Sequence, residues 1–149
     1  RGSRHCVWGE NESCHIDSRS RCDVGVEHDV LSPSECDAVV SEAEQYAANH
    51  GGWTTSRHTS KPTTDLPTAL LPKTWPLMST TMQRVVANAF SRCGLKHGVD
   101  ALIPMDLFVV KYTGHGQRGL SKHADASFMS FNLHLSSPDD YAGGGTFFE

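Results

Sequence analysis

Apolar side chains recur at helical spacing in the first part of the chain and alternate with polar ones later on. The stretch Ser32-Pro33-Ser34-Glu35 is a capping box with proline at the first helical position, which predicts where a helix begins. The apolar residues that follow at helical spacing are Val39, Val40, Ala43, Tyr46 and Ala47. His50-Gly51-Gly52 ends the pattern, so the sequence predicts a helix within residues 30–50.

A second apolar stripe predicts a helix from about Trp75 to Cys93, which Gly94 stops. The residues expected on its buried face are Leu77, Met78, Met82, Val85, Val86, Ala89 and Phe90. Between the two helices, weak alternation over residues 53–60 suggests a strand. The prolines in residues 61–72 indicate an extended loop.

From Ala101 the apolar period becomes two, which is typical of strands. The predicted strands are Asp106–Tyr112, Ser121–Asp125, Phe128–Leu135 and a last one starting at Thr146–Glu149. Turns are predicted at residues 113–116 and 136–140. Two helices followed by short strands indicate an α+β domain, a sheet or barrel packed on helices.

Length and charge narrow the choice of function. A chain of 149 residues fits one domain, here residues 30–149, preceded by a polar, cysteine-rich arm at residues 1–29. The net charge of −4 argues against a nucleic-acid partner, which usually needs a basic face. No apolar run of about 18 residues predicts a membrane span. The first residue is Arg1, and no signal-peptide core follows it, which suggests a processed terminus or a fragment.

Five cysteines raise the question of disulfides or a metal. They are Cys6, Cys14, Cys22, Cys36 and Cys93. One or two disulfides that hold the arm, free thiols and a zinc site are all open, although the Cys-x-x-Cys spacing typical of zinc modules is missing. The odd count leaves one thiol unpaired, and Cys93, expected inside the second helix, is the predicted one.

His123-Ala124-Asp125 is the motif with the most chemical content. On a strand, residues two apart point to the same face, so an imidazole nitrogen and a carboxylate oxygen could share one metal ion. Two histidines and one carboxylate form the facial triad of non-haem iron(II) oxygenases. Taken alone, His-x-Asp is also what a surface histidine and a surface aspartate produce by chance. The glycines at 143–145 permit close backbone approach near such a site.

The stretch from Leu107 to Glu149 resembles the 2-oxoglutarate and iron(II)-dependent dioxygenases of the prolyl 4-hydroxylase and procollagen-lysine hydroxylase branch. The matching elements are Phe108-Val109-Val110-Lys111-Tyr112, Gln117, Leu120, His123-Ala124-Asp125-Ala126-Ser127, Phe131-Asn132-Leu133-His134-Leu135 and Asp140-Tyr141-Ala142-Gly143-Gly144-Gly145-Thr146-Phe147-Phe148. Upstream, Trp53, Arg57-His58 and Thr63-Thr64-Asp65-Leu66-Pro67 agree more loosely. The resemblance implies a double-stranded β-helix, a jelly-roll barrel flanked by N-terminal helices and incomplete in this chain.

The resemblance also implies a set of site residues. His123 and Asp125 would be the iron ligands, and Tyr112 would contact the 2-oxoglutarate carboxylate. Asn132 and Thr146 would line the cosubstrate pocket. A core tyrosine and a barrel residue that satisfies the backbone are the plain alternatives for Tyr112 and Asn132. The implied cofactors are iron(II), 2-oxoglutarate and dioxygen, with ascorbate as a further candidate.

The chain departs from the family pattern after Asp125. The distal histidine and the Lys or Arg that pairs with 2-oxoglutarate are missing, and His115, His134, Lys111 and Lys122 do not hold their positions. The prediction is therefore a peptidyl proline or lysine hydroxylase whose chain, as an incomplete fragment, has little activity alone. A truncated barrel that binds a protein partner without catalysis is the main alternative, and an ordinary domain with an accidental His-x-Asp is the third. The cysteines and the family favour the secretory pathway and the endoplasmic reticulum; oligomeric state stays open.

Overall fold

The computed structural model describes residues 24–93 and 103–147, and also the backbone strands β1 (His5–Trp8) and β2 (Cys14–Asp17).

The first helix forms where the sequence predicts it. Helix α1 spans Pro33–Asn49. The Ser32 hydroxyl accepts from the Glu35 amide at 3.3 Å, and the Glu35 carboxylate accepts from the Ser32 amide at 2.8 Å. The predicted capping box is thereby confirmed.

The apolar face of α1 is buried as predicted. Val39, Ala43 and Ala47 are buried, while Val40 and Tyr46 are half-buried. The helix ends because the Gly52 amide donates back to the Ala47 carbonyl at 2.8 Å. That return requires left-handed backbone at Gly51, where φ is +85°, and a residue with a Cβ is strained there.

Helix α2 spans Thr74–Arg92 and confirms the second predicted helix. Its N-cap, Lys73, supplies no side-chain cap. Instead, Glu42 of α1 accepts from the Lys73 amide at 2.9 Å and from the Thr74 amide and hydroxyl at 2.6 and 2.7 Å. One carboxylate therefore satisfies the first amides of α2 and couples the two helices. Within the predicted stripe, Met78 and Phe90 are buried and the other members are half-buried.

The central sheet has two antiparallel strands, β3 (Asp65–Pro67) and β4 (Phe108–Val110). The Thr68 amide to the Leu107 carbonyl (2.9 Å) and the Lys111 amide to the Thr64 carbonyl (2.8 Å) extend the pairing at both ends. Helix α1 packs on this sheet. The core consists of Val39, Ala43, Ala47, Leu66, Leu71 and Val109, with Tyr46, Trp53, Leu77 and Leu135 at its margin.

Several predicted elements differ in the structure. Residues 65–70, predicted as loop, form β3 and a 3₁₀ turn. Pro67 is the last residue of β3, a position at which a strand tolerates proline. Residues 53–60 contribute only the isolated bridge Thr54–Asp65. The predicted strands at 121–125 and 128–135 form no ladder, although Phe131, Leu133 and Leu135 are half-buried between exposed neighbours.

The two predicted turns are present. The Gly116 amide donates to the Thr113 carbonyl in the first, and the second holds a 3₁₀ turn at Pro138–Asp140. The predicted strand at residues 146–149 runs partly outside the described residues. Among those residues, no helix is both long and apolar enough to cross a membrane. The described helices and the open two-stranded sheet do not test the predicted jelly-roll barrel. The predicted boundary between an arm at residues 1–29 and a domain at residues 30–149 also stays a prediction.

The N-terminal arm and the cysteines require corrections. Strands β1 and β2 pair as an antiparallel hairpin, with Val7 opposite His15, inside the arm predicted to be loop-like. Four-residue strands are too short to produce a clear alternation. Cys93 is disulfide-bonded and Cys36 is free, so the prediction that Cys93 is the unpaired thiol is wrong. Cys93 is the C-cap of α2 and lies after the last turn, where its side chain can reach another segment.

Candidate metal centre

The segment that carries His123 and Asp125 follows β4 and the tight turn at residues 113–117. The Thr113 amide donates to the Gln117 carbonyl at 2.9 Å, which closes that turn. From Arg118 to Leu135 the backbone is irregular. The segment meets α2 through the Phe90 and Phe128 rings, whose centroids lie 6.1 Å apart.

His123 and Asp125 lie side by side. The distance from His123 Nε2 to Asp125 Oδ1 is 3.3 Å, and the side chains are 32% and 51% exposed. The other ring nitrogen, Nδ1, lies 2.8 Å from the Ser121 carbonyl oxygen. Since a carbonyl oxygen only accepts hydrogen bonds, Nδ1 carries a proton. In the neutral ring, the lone pair is then on Nε2, which lies within ion-pair distance of the carboxylate.

Two electron-pair donors at this distance are stabilised by a positive charge between or upon them. A metal ion is one solution, and a second proton on the imidazole, which gives an ion pair with Asp125, is the other. Donors about 2.1 Å from one ion and at roughly a right angle lie about 3 Å apart, so the spacing suits a shared ion. A backbone carbonyl that accepts from the distal ring nitrogen is the usual support of a metal-ligating histidine.

The described part of the chain supplies two donors to this centre. Among residues 24–93 and 103–147, no three His, Cys, Asp or Glu side chains lie close enough to hold one ion. His134 lies elsewhere, with Nδ1 at 3.4 Å from the Tyr141 hydroxyl, and His115 is exposed in its turn. His123 and Asp125 therefore fit two of the three positions of an iron(II) facial triad.

The other three predicted site residues form no hydrogen bond with the pair. Within the described residues, Tyr112, Asn132 and Thr146 make no hydrogen bond to His123 or Asp125, and all three are exposed. Partial burial raises the pKa of the Tyr112 phenol above its ordinary value. Tyr112 is therefore a neutral O–H donor at physiological pH, which is the form that could bind a carboxylate oxygen.

Lys111, one of the cations considered from the sequence, is already engaged. Its Nζ lies 2.5 Å from Glu44 Oε1 and 5.3 Å from the centre of the Trp53 ring. The Trp53 indole in turn donates to Glu44 Oε2 at 3.2 Å. These three side chains connect the residue after β4 with α1, and the Lys111 ammonium is paired with Glu44.

A buried ionic cluster that the sequence did not predict fixes β3. Asp65 is fully buried and accepts from Arg57 Nη1 at 2.5 Å and from the Thr63 hydroxyl. Arg57 Nη2 binds both Asp106 oxygens at 2.9 and 2.8 Å. His58 Nε2 is buried without a hydrogen-bond partner, 3.5 Å from Asp65 Oδ2. These contacts join distant parts of the chain, and only the loose match of Arg57-His58 and Thr63–Pro67 could have signalled them.

Comparisons with protein-family models, with curated proteins and with solved structures found no match to this chain. The His123–Asp125 pair and the residues around it are therefore the features of this chain that bear on its function.

Proposed function

We propose that this chain belongs to an iron(II)- and 2-oxoglutarate-dependent dioxygenase that hydroxylates a peptidyl proline or lysine. The observation that carries the proposal is the convergence of His123 Nε2 and Asp125 Oδ1 at 3.3 Å, with Nδ1 held by the Ser121 carbonyl. Iron(II) with 2-oxoglutarate and dioxygen, and with ascorbate as a reductant, supplies oxidative decarboxylation coupled to oxygen insertion into a C–H bond.

The residues of the chain bind and orient. His123 Nε2 and the Asp125 carboxylate offer electron pairs from one side, and the Ser121 carbonyl sets the imidazole rotation. The neutral Tyr112 hydroxyl would donate to a carboxylate oxygen of the 2-oxo acid, and Asn132 and Thr146 would line its pocket. The exposure of Asp125 leaves the centre open to a large substrate, which supports a peptide over an enclosed small molecule. The secretory pathway is the proposed location.

Metal titration tests the proposal. Under anaerobic conditions the protein should bind Co(II), a spectroscopic substitute for iron(II), with visible absorption bands. His123→Ala and Asp125→Asn should each weaken binding by at least about tenfold. The matched controls are His115→Ala and Asp139→Asn, which remove an exposed histidine and an exposed aspartate away from the pair. If His123→Ala and His115→Ala bind Co(II) equally well, His123 is not a metal ligand and the proposed function is wrong.

Turnover provides a second test. Because the described residues supply only two metal donors, we expect a low yield of succinate, and of peptide that gains the mass of one oxygen atom, with iron(II), 2-oxoglutarate and proline- or lysine-containing peptides. Loss of both signals in His123→Ala ties the activity to this centre.

A non-catalytic protein-binding module is the second candidate. Two observations favour it: the described residues supply only two metal donors, and Ile103, Met105 and Phe147 are largely exposed. If the wild-type protein and His123→Ala bind a peptide partner with equal affinity, this candidate is supported.

A further inference from the structure

The segment at residues 61–64 runs beside the segment at residues 117–121, immediately before His123. The Lys111 amide donates to the Thr64 carbonyl at 2.8 Å, which aligns residues 61–64 with the end of β4. Two side chains then connect the segments. Gln117 reaches back from the turn to residues 62–64, and Lys61 reaches forward to Ser121.

Both polar atoms of the Gln117 side-chain amide form hydrogen bonds with the backbone. Its Oε1 accepts from the Thr64 amide at 2.6 Å, and its Nε2 donates to the Pro62 carbonyl at 2.9 Å and to the Gly119 carbonyl at 3.2 Å. All three partners have fixed polarity, so a flipped amide would lose all three bonds. Gln117 therefore fixes the backbone on both sides of the gap between the segments.

Ser121 is held at two atoms. Lys61 Nζ donates to the Ser121 hydroxyl at 3.1 Å, and the Ser121 carbonyl accepts from His123 Nδ1 at 2.8 Å. The orientation of the His123 ring therefore depends on where Ser121 lies. The position of Ser121 depends in turn on Lys61 and, two residues upstream, on the Gln117–Gly119 bond.

We propose that Gln117 and Lys61 are positioning residues of the metal centre, which hold Ser121 so that its carbonyl orients the His123 imidazole toward Asp125. This inference rests on the proposed function for its role in metal binding. The hydrogen-bonded chain itself is independent of any metal. Supports of this kind typically change metal affinity by about 10–100-fold when they are removed.

The first experiment needs no metal. In wild-type protein, the His123 Nδ1–H proton should give an NMR signal protected from exchange with water, identified by its absence in His123→Ala. Gln117→Met, which keeps a similar size but removes the amide, should abolish that protection. The matched control is Gln45→Met, at an exposed glutamine on α1. Protection that is absent in wild type, or that survives in Gln117→Met, would overturn the proposal.

The second experiment uses Co(II) binding and global stability together. Gln117→Met should weaken Co(II) binding by about tenfold or more relative to Gln45→Met. Lys61→Met, which removes one contact at the surface, covers the case in which Gln117→Met does not fold. Lys61→Met should weaken Co(II) binding and reduce the protection of the His123 Nδ1–H proton, with little change in Tm. Lys61→Arg should keep Co(II) binding and this protection as in the wild type. A change in Tm alone would contradict a positioning role.

The two proposals fail in different ways. If wild type and His123→Ala bind Co(II) equally, the proposed function is wrong, whereas the Nδ1–H result still decides whether Gln117 and Lys61 orient the ring. If His123 binds Co(II) but Gln117→Met and Lys61→Met leave both measurements unchanged, the proposed function stands and the positioning role is wrong.

Discussion

The substitution Asp65→Asn tests whether the buried ionic cluster stabilises the sheet. Asp65 is fully buried, whereas Arg57 is 24% exposed and also binds Asp106 through two hydrogen bonds. Burial alone would lower the pKa of Arg57, but hydrogen bonds to Asp65 and Asp106 raise it above its ordinary value. The guanidinium is therefore charged, and the substitution removes one of its two carboxylate partners.

The expected magnitude follows from what remains after the substitution. Removing one member of a fully buried ion pair costs about 3–5 kcal/mol, mostly because an uncompensated charge is left behind. Here Asp106 still compensates Arg57, and asparagine still offers an oxygen acceptor. The remaining loss is that of a hydrogen bond to a charged group, about 1.5–3 kcal/mol. We therefore expect Asp65→Asn to lower the free energy of unfolding by about 1.5–3 kcal/mol.

The chain provides a matched control in the Arg92–Glu27 pair. Its nitrogen–oxygen distance is 2.6 Å, nearly that of Arg57–Asp65, but Arg92 is 46% and Glu27 18% exposed, whereas Asp65 is fully buried. Glu27→Gln should therefore cost about 1 kcal/mol or less. Urea unfolding of both variants, with equal slopes, gives the comparison. Equal destabilisation by the two substitutions would refute the reasoning, because it would mean that burial of Asp65 adds nothing.

Three further predictions concern other parts of the fold. Partial burial raises the pKa of Glu42, but hydrogen bonds from the first amides of α2 outweigh it, and the net pKa lies below the ordinary value. The stabilisation by Glu42 is therefore complete above the unfolded-state pKa and is lost as the pH falls through the lowered value. Urea unfolding should show Glu42→Gln about 1 kcal/mol less stable than wild type at neutral pH, with the difference shrinking as the solution is made acidic, and a constant difference would contradict this linkage. Leu71→Ala should cost about 2–5 kcal/mol in the same assay, whereas the neighbouring, exposed Leu70→Ala should cost far less; similar losses would place Leu71 outside the core. Without reductant, iodoacetamide should label Cys36 and spare Cys93, as peptide mass spectrometry would show. The reaction should be slow at neutral pH and faster in alkali, because burial, then neighbouring carboxylates, raise the pKa of the Cys36 thiol; labelling of Cys93 would contradict the disulfide.

Both helices were predictable because their signals are local. The capping box of α1 lies within four residues, and the buried stripes follow one helical period. The start of α2 carries no such signal at Lys73, since its cap comes from Glu42 on another helix. Strand β3 was missed for a similar reason. Its proline, Pro67, argues against a strand, and its pairing with β4 depends on residues far away in the chain.

The candidate site was predictable in its two residues but not in its construction. The sequence predicts His123 and Asp125 on one face of a strand, yet the structure forms no strand ladder there. The two side chains meet because the Ser121 carbonyl orients the imidazole. That bond, and the contacts of Gln117 with residues more than fifty positions away, leave no periodic trace in the sequence.

The pairing of β3 with β4 across the whole of α2 has a consequence for the order of folding. Closing so long a segment costs chain entropy before any bond between the strands can repay it. Helical turns form from near neighbours and avoid that cost. We therefore expect α1 and α2 to form a folding nucleus onto which the strands close. The His123 segment follows β4 and is held by residues 61–64, which precede β3, so we expect the chemically important part of the chain to become ordered only once these strands have paired.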